Sequence, residues 1–182
     1  VHKEIVFSGF GGQGVLFAGE LLAYTAMKSG YYVTWMPSYG PEMRGGTASC
    51  TVIISGDEIG SPVVRNPQAA VVMNLPSMNK YEPIVKPGGV LVVNQSLVNR
   101  NFKRKDLQVV LIPANDIAES ISEKRLSNMV MIGALLAKMP ILSLESVKTA
   151  LEEELPERHR HLLQANIKAL QEGYDFVKKV VQ

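Results

Sequence analysis

Short apolar runs punctuated by glycine and proline fill the N-terminal part of the chain, and apolar residues at helical spacing take over towards the C-terminus. Ile5–Phe7 is a short apolar run that meets glycines at 9, 11, 12 and 14, and helical spacing starts at Val15. That order predicts a strand, a tight turn and a helix, the first half of a βαβ unit. Tyr31–Met36 is rich in β-branched and aromatic residues and is expected to be a second parallel strand. Ala48–Ser55 is strand-like, and Gly56-Asp57 signals a hairpin returning through Glu58–Val64, an antiparallel addition to the sheet. Ala69–Met73 is almost continuously apolar, as expected of a strand covered on both faces. Leu75–Tyr81 reads as a short helix, Pro87-Gly88-Gly89 as a turn into the strand Val90–Val93, and Val109–Ile112 as the last strand.

From Asn115 the period becomes helical. Asp116–Ser122 is short, and Asn128–Lys138 is apolar almost all round, so either its own domain or a partner must bury it. Ser143 is placed to cap a helix over Leu144–Leu155. A final helix from Arg158 carries Leu163, Ile167, Leu170, Tyr174, Val177 and Val181 on one face. Packing on its own sheet is the expected use of that face, with a docking arm as the alternative. The pattern defines an α/β fold: a Rossmann-like three-layer domain with a mainly parallel sheet, an antiparallel hairpin strand and C-terminal helices. At 182 residues the expectation is one domain over 1–182.

The glycines at 9, 11 and 14 fit GxGxxG, the spacing used where a turn must be tight and backbone N–H groups must face a phosphate. A dinucleotide site also needs a carboxylate about 20 residues on. Here the second run ends in Pro37, Ser38 and Tyr39, so the ribose-binding half is missing. Gln13-Gly14-Val15 likewise stands where a Walker loop needs Lys and a hydroxyl residue. Two readings remain open: an anion nest, or a turn that only packs strand against helix. Ser8 beside the turn is a candidate hydrogen-bond donor to an approaching anion.

The segment Pro37–Gly46, PSYGPEMRGG, reads as a shaped loop at the carboxyl end of a strand, where open α/β sheets build their sites. Arg44 offers a rigid donor fork for phosphate or carboxylate, and Glu42 can orient it or simply close an internal salt bridge. Gly45 and Gly46 permit close backbone approach. His159 and His161 lie two apart without the spacing of a metal site and read as solvated. No catalytic residue and no metal ligand set stands out.

Composition narrows the picture further. With 19 Lys and Arg against 17 Asp and Glu, the net charge of +2 gives no electrostatic argument for nucleic acid. Cys50 is the only cysteine, which excludes a four-cysteine iron–sulfur cluster or an internal disulfide within this sequence and fits a reducing, cytoplasmic setting. No apolar run reaches membrane-spanning length, and Val1-His2-Lys3-Glu4 leads straight into the first strand rather than into a signal-peptide core.

Taken together, GFGGQG at Gly9–Gly14, SYGPEMRGGTASC at Ser38–Cys50, AAVVMN at Ala69–Asn74, the Pro87–Gly89 turn and the NMVMIGAL helix resemble the gamma subunit of 2-oxoacid:ferredoxin oxidoreductases. The likeness extends over about residues 4–180 and is greatest to the 2-oxoglutarate branch, with pyruvate, branched-chain 2-oxoacid and indolepyruvate enzymes as alternatives. The resemblance implies a multisubunit enzyme that turns a 2-oxoacid and coenzyme A into acyl-CoA and carbon dioxide and passes electrons to ferredoxin. It implies that thiamine diphosphate, Mg2+ and iron–sulfur clusters belong to other chains: thiamine-dependent alpha and beta subunits and a ferredoxin-like cluster subunit. By the same likeness Gly9, Gly11, Gly12, Gln13, Gly14 and Arg44 become ligand-loop residues, and Tyr39, Gly40, Glu42, Met43, Gly45 and Gly46 shape the site or an interface. No nucleic acid or membrane partner is implied, and the isolated chain is free to pair with itself. A free-standing nucleotide-binding or sensor protein is the competing class.

Overall fold

The computed structural model describes residues 1–39 and 47–180, with Tyr39 described by its backbone alone. Among these residues, six strands form one sheet: β1 (His2–Phe10), β2 (Tyr32–Tyr39), β3 (Thr47–Ser55), β4 (Ala69–Val72), β5 (Val90–Asn94) and β6 (Gln108–Ile112). Their order is β2-β3-β1-β4-β5-β6. The pairings β1–β4, β4–β5 and β5–β6 are parallel, whereas β3 runs antiparallel to both β1 and β2. The helices are α1 (Val15–Lys28), α2 (Leu75–Tyr81), α3 (Ala114–Ile121), α4 (Ser127–Lys138), α5 (Leu144–Glu154) and α6 (Leu163–Val180).

Two apolar layers sandwich the sheet. Ile5, Phe7, Val52, Val71 and Val92 face the larger one, filled by α1, α4, α5 and α6. Val6, Ala70, Val72, Leu91 and Val93 face the smaller, covered by Met78, Tyr81 and Val85. Alternation along β1, β4 and β5 with burial on both faces explains their unbroken apolar runs. The three-layer α/β fold expected from the sequence is therefore the one adopted.

The antiparallel element is β3 itself, not a return through Glu58–Val64, which forms no strand. Ser55 and Gly56 do end β3, but Gly56 N–H donates to Val1 C=O at 2.8 Å, tying the chain to the start of β1 instead of folding it into a hairpin. β2 points the same way as β1 yet pairs only with β3, and it runs to Tyr39, so Pro37, Ser38 and Tyr39 are strand rather than loop. Proline is compatible there because β2 is an edge strand, where an absent N–H costs no ladder bond.

α4 is buried from Ser127 to Ala137 by its own domain, chiefly α6. Gly133 and Gly173 permit that crossing: a Cβ on Gly133 would lie 2.8 Å from Tyr174 N, and one on Gly173 would lie 2.8 Å from the Val130 carbonyl carbon. Ser143 caps α5 by accepting from Ser146 N–H at 3.1 Å. The last helix begins at Leu163, five residues later than its sequence period suggests, because Glu157–Leu162 winds into a tighter 3-10 turn after Pro156.

Candidate functional site

From β1 the chain runs through α1 to β2 at one edge of the sheet, and from β4 through α2 to β5 on the other side, so the carboxyl ends of the parallel β1 and β4 form a switch point, the usual place for a ligand crevice in an open α/β sheet. The Gly9–Gly14 turn sits there. Phe10 C=O accepts from Gln13 N–H at 3.2 Å, and the Gln13 side-chain oxygen accepts from Phe10 N–H at 2.6 Å. Gln13 therefore locks the turn from within.

The glycines divide into two kinds. Gly9 has no room: a Cβ would lie 2.9 Å from both Met73 Cβ and Val15 Cγ2. Gly14 caps α1 at φ 71°, and a Cβ there would run into the Asn128 amide, whose Nδ2 donates to Gly14 C=O at 3.2 Å. Gly12, at φ 91°, has nothing within 4 Å of a would-be Cβ. Close packing thus accounts for Gly9 and Gly14, while Gly12 stands in open space beside a cavity.

That cavity, about 570 Å³, is bordered by Gly11, Gly12, Gly14 and the first turn of α1, by Thr47 and Ala48 of β3, and by Arg158 and His159. A second cleft of about 300 Å³ shares Gly12, Gly14, Phe17, Arg158 and His159 and extends to Arg125 and Asn128. Phe10 and Phe17 supply apolar wall. The start of α1 carries no side-chain cap and no acidic residue in its first turn, so among the described residues no charge on the helix itself offsets its positive dipole end. Among the described residues, no carboxylate borders the larger cavity, whereas Glu123 borders the smaller.

Arg158 and His159 are the residues that sequence reading missed. The expectation of a solvated histidine on a helix does not hold for His159, which is half-buried where the 3-10 turn brings it across from a glycine turn far away in sequence. Arg158 Nε donates to His159 Nε2 at 3.2 Å, so that ring nitrogen is the acceptor of this bond, and among the described residues the remaining guanidinium donors make no hydrogen bond. A run of Arg-His-Arg-His gave no periodic signal for this placement. His161 is exposed, as expected.

Ser8 departs from its expected role. It is 2% exposed, and its hydroxyl pairs with Ser77 Oγ at 2.7 Å, so it braces β1 against α2 instead of facing the turn. Cys50 is buried beneath α1 with Sγ 3.5 Å from Val15 C=O, and burial pushes its thiol up to about 12. Among the described residues, no three His, Cys, Asp or Glu side chains cluster as a metal site would require, and no helix is long and apolar enough to cross a membrane.

Gly40, Glu42, Met43, Arg44, Gly45 and Gly46 lie outside the described residues, as does the side chain of Tyr39. The strands on either side of that segment end at the glycine turn: Tyr39 pairs with Ala48, Ala48 with Gly9, and Thr47 with Phe10.

This is the geometry of an α/β domain with a cleft beside a backbone glycine turn. The chain belongs to the pyruvate ferredoxin/flavodoxin oxidoreductase family, whose sequence pattern matches residues 4–176. It is 35% identical to the ketoisovalerate oxidoreductase subunit VorA of Methanothermobacter marburgensis over 97% of this chain, and spans 37% of that longer relative. It is 34% identical to the 2-oxoglutarate synthase subunit KorC of Methanocaldococcus jannaschii, covering 99% of this chain and 96% of KorC. Among solved structures, the gamma subunit of a keto/oxoacid ferredoxin oxidoreductase from Geobacter sulfurreducens superposes with a TM-score of 0.84 at 30% identity, over 97% of this chain and 99% of that one.

Proposed function

We propose that residues 1–182 form one domain that acts as the gamma-type subunit of a multisubunit 2-oxoacid:ferredoxin oxidoreductase. The complex converts a 2-oxoacid and coenzyme A to an acyl-CoA and carbon dioxide, and the electron pair released goes to ferredoxin. This chain docks beside the thiamine-dependent subunits and supplies part of the coenzyme A region. Thiamine diphosphate and Mg2+ are carried by the other subunits, and so are the iron–sulfur clusters, since Cys50, the only cysteine in this sequence, is buried and cannot furnish four thiolates.

The observation that carries this reading is the cavity between the glycine turn and Arg158. Gly12 and the first turn of α1 offer backbone N–H groups to a phosphate oxygen, and Arg158 offers a charged fork to the same group. Phe10 and Phe17 suit an apolar arm. Arg44, which lies outside the described residues, is the second ligand cation we propose on the strength of the family resemblance. Gly9 and Gln13 hold the turn's shape rather than touch ligand.

2-Oxoglutarate is the 2-oxoacid we favour. KorC, a 2-oxoglutarate synthase subunit, is among the relatives that support this choice, although VorA is nearly equal in identity.

Arg158→Ala and Arg44→Ala in the assembled enzyme are expected each to raise the KM for coenzyme A about tenfold, with the KM for the 2-oxoacid unchanged. The loss of one charge-assisted phosphate contact sets that size. Unaltered coenzyme A kinetics in both variants would refute the ligand role of this cleft.

A further inference from the structure

The two edges of the sheet differ. β2 carries Pro37, a device that blunts an edge, whereas β6 reads Gln-Val-Val-Leu-Ile, with neither proline nor charge. Gln108 N–H donates to Gly89 C=O and Ile112 C=O accepts from Gln95 N–H, both at 2.8 Å, so Gln108, Val110 and Ile112 turn their backbone to β5. Val109 and Leu111 therefore turn theirs outward, and among the described residues their N–H and C=O groups have no partner. Beside this edge lies a groove of about 250 Å³ between β6 and the end of α6, floored by Phe176, Val177 and Val180. Leu111 is 36% and Val180 71% exposed. Among the described residues, Lys138 is the one charged residue that lines the groove.

We propose that β6 receives an extended segment of a partner subunit as a seventh strand, with apolar side chains in the groove and an acidic side chain opposite Lys138. An added strand satisfies the outward backbone groups, and alternate side chains provide selectivity. Charge decides the chemistry of the occupant. A second copy of this chain would bring its own Lys138 to the seam, like charge against like, while an acidic segment meets it with the opposite sign. The inference rests on the subunit reading above and names the surface through which that subunit docks.

Hydrogen exchange read at Val109 and Leu111, in the isolated chain and in the complex co-expressed with its neighbouring subunits, tests it. Both amides are expected to exchange at least about tenfold more slowly in the complex. Lys138→Glu, and separately Leu111→Pro, which removes an outward donor but none of the bonds to β5, are each expected to weaken assembly about tenfold. Equal exchange in an intact complex overturns the added strand and leaves the subunit reading standing. Failure of any complex to form overturns both. Protection that instead grows with concentration in the isolated chain overturns the acidic partner in favour of a second copy.

Discussion

Gly173→Ala probes a close joint in the molecule, the crossing of α4 and α6. A Cβ at Gly173 would lie 2.8 Å from the Val130 carbonyl carbon and 2.9 Å from Val130 Cα, and would overlap the Val130 carbonyl oxygen. These are backbone atoms, so no side-chain rotation relieves the clash, and α4 must retreat by on the order of 1 Å to restore ordinary contact. The surroundings offer no slack, since Val130, Ala169 and Leu170 are each 0% exposed. Overpacking of this kind costs roughly 1–3 kcal/mol, and a backbone clash belongs at the upper end. Alanine returns about 1 kcal/mol of helix propensity. The net loss is therefore about 2 kcal/mol, which moves the urea midpoint down by about 1 M for a slope of about 2 kcal/mol/M. Gly60→Ala is the control, because nothing lies within 4 Å of a Cβ there and the residue is exposed. Urea melts followed by circular dichroism decide the matter. A Gly173→Ala midpoint equal to that of Gly60→Ala would refute the close-crossing argument.

Three further outcomes follow from the site. Burial raises the Cys50 thiol from 9.0 to about 12, so the native state keeps a proton that the unfolded chain loses. This contribution to stability is complete below about pH 9 and declines as pH rises towards about 12; Cys50→Ala should show a shallower alkaline decline in urea midpoint than the parent chain. Asn128→Asp replaces the donor to Gly14 C=O by an acceptor, and should cost roughly 1–3 kcal/mol in denaturant melts. Gly12→Ala meets no atom but must hold φ 91°, so it should cost about 1–2 kcal/mol and, by reshaping the turn, weaken coenzyme A binding in calorimetry on the assembled enzyme.

Periodicity located nearly every helix and strand, because β1, β4 and β5 are buried on both faces and α4 is buried all round. It did not reveal which strand neighbours which. The antiparallel insertion of β3 between β1 and β2 depends on long-range pairing that no local turn signal announces, and the Gly56-Asp57 turn pointed to the wrong partner strand. The glycine turn was legible as a turn, yet only packing distinguishes Gly9 and Gly14, hemmed in by Met73 and Asn128, from the open Gly12. Arg158 and His159 were hidden for the same reason. Their placement beside the cavity depends on a 3-10 turn that follows Pro156 and on what that turn faces across the fold.

Affinity purification of the chain with its neighbouring gene products, followed by an assay of ferredoxin reduction, tests the central claim most directly. The account predicts a complex with thiamine-dependent subunits that reduces ferredoxin only when a 2-oxoacid and coenzyme A are both present, 2-oxoglutarate being the best substrate. A chain that forms no such complex, or a complex whose ferredoxin reduction is indifferent to coenzyme A, would contradict it.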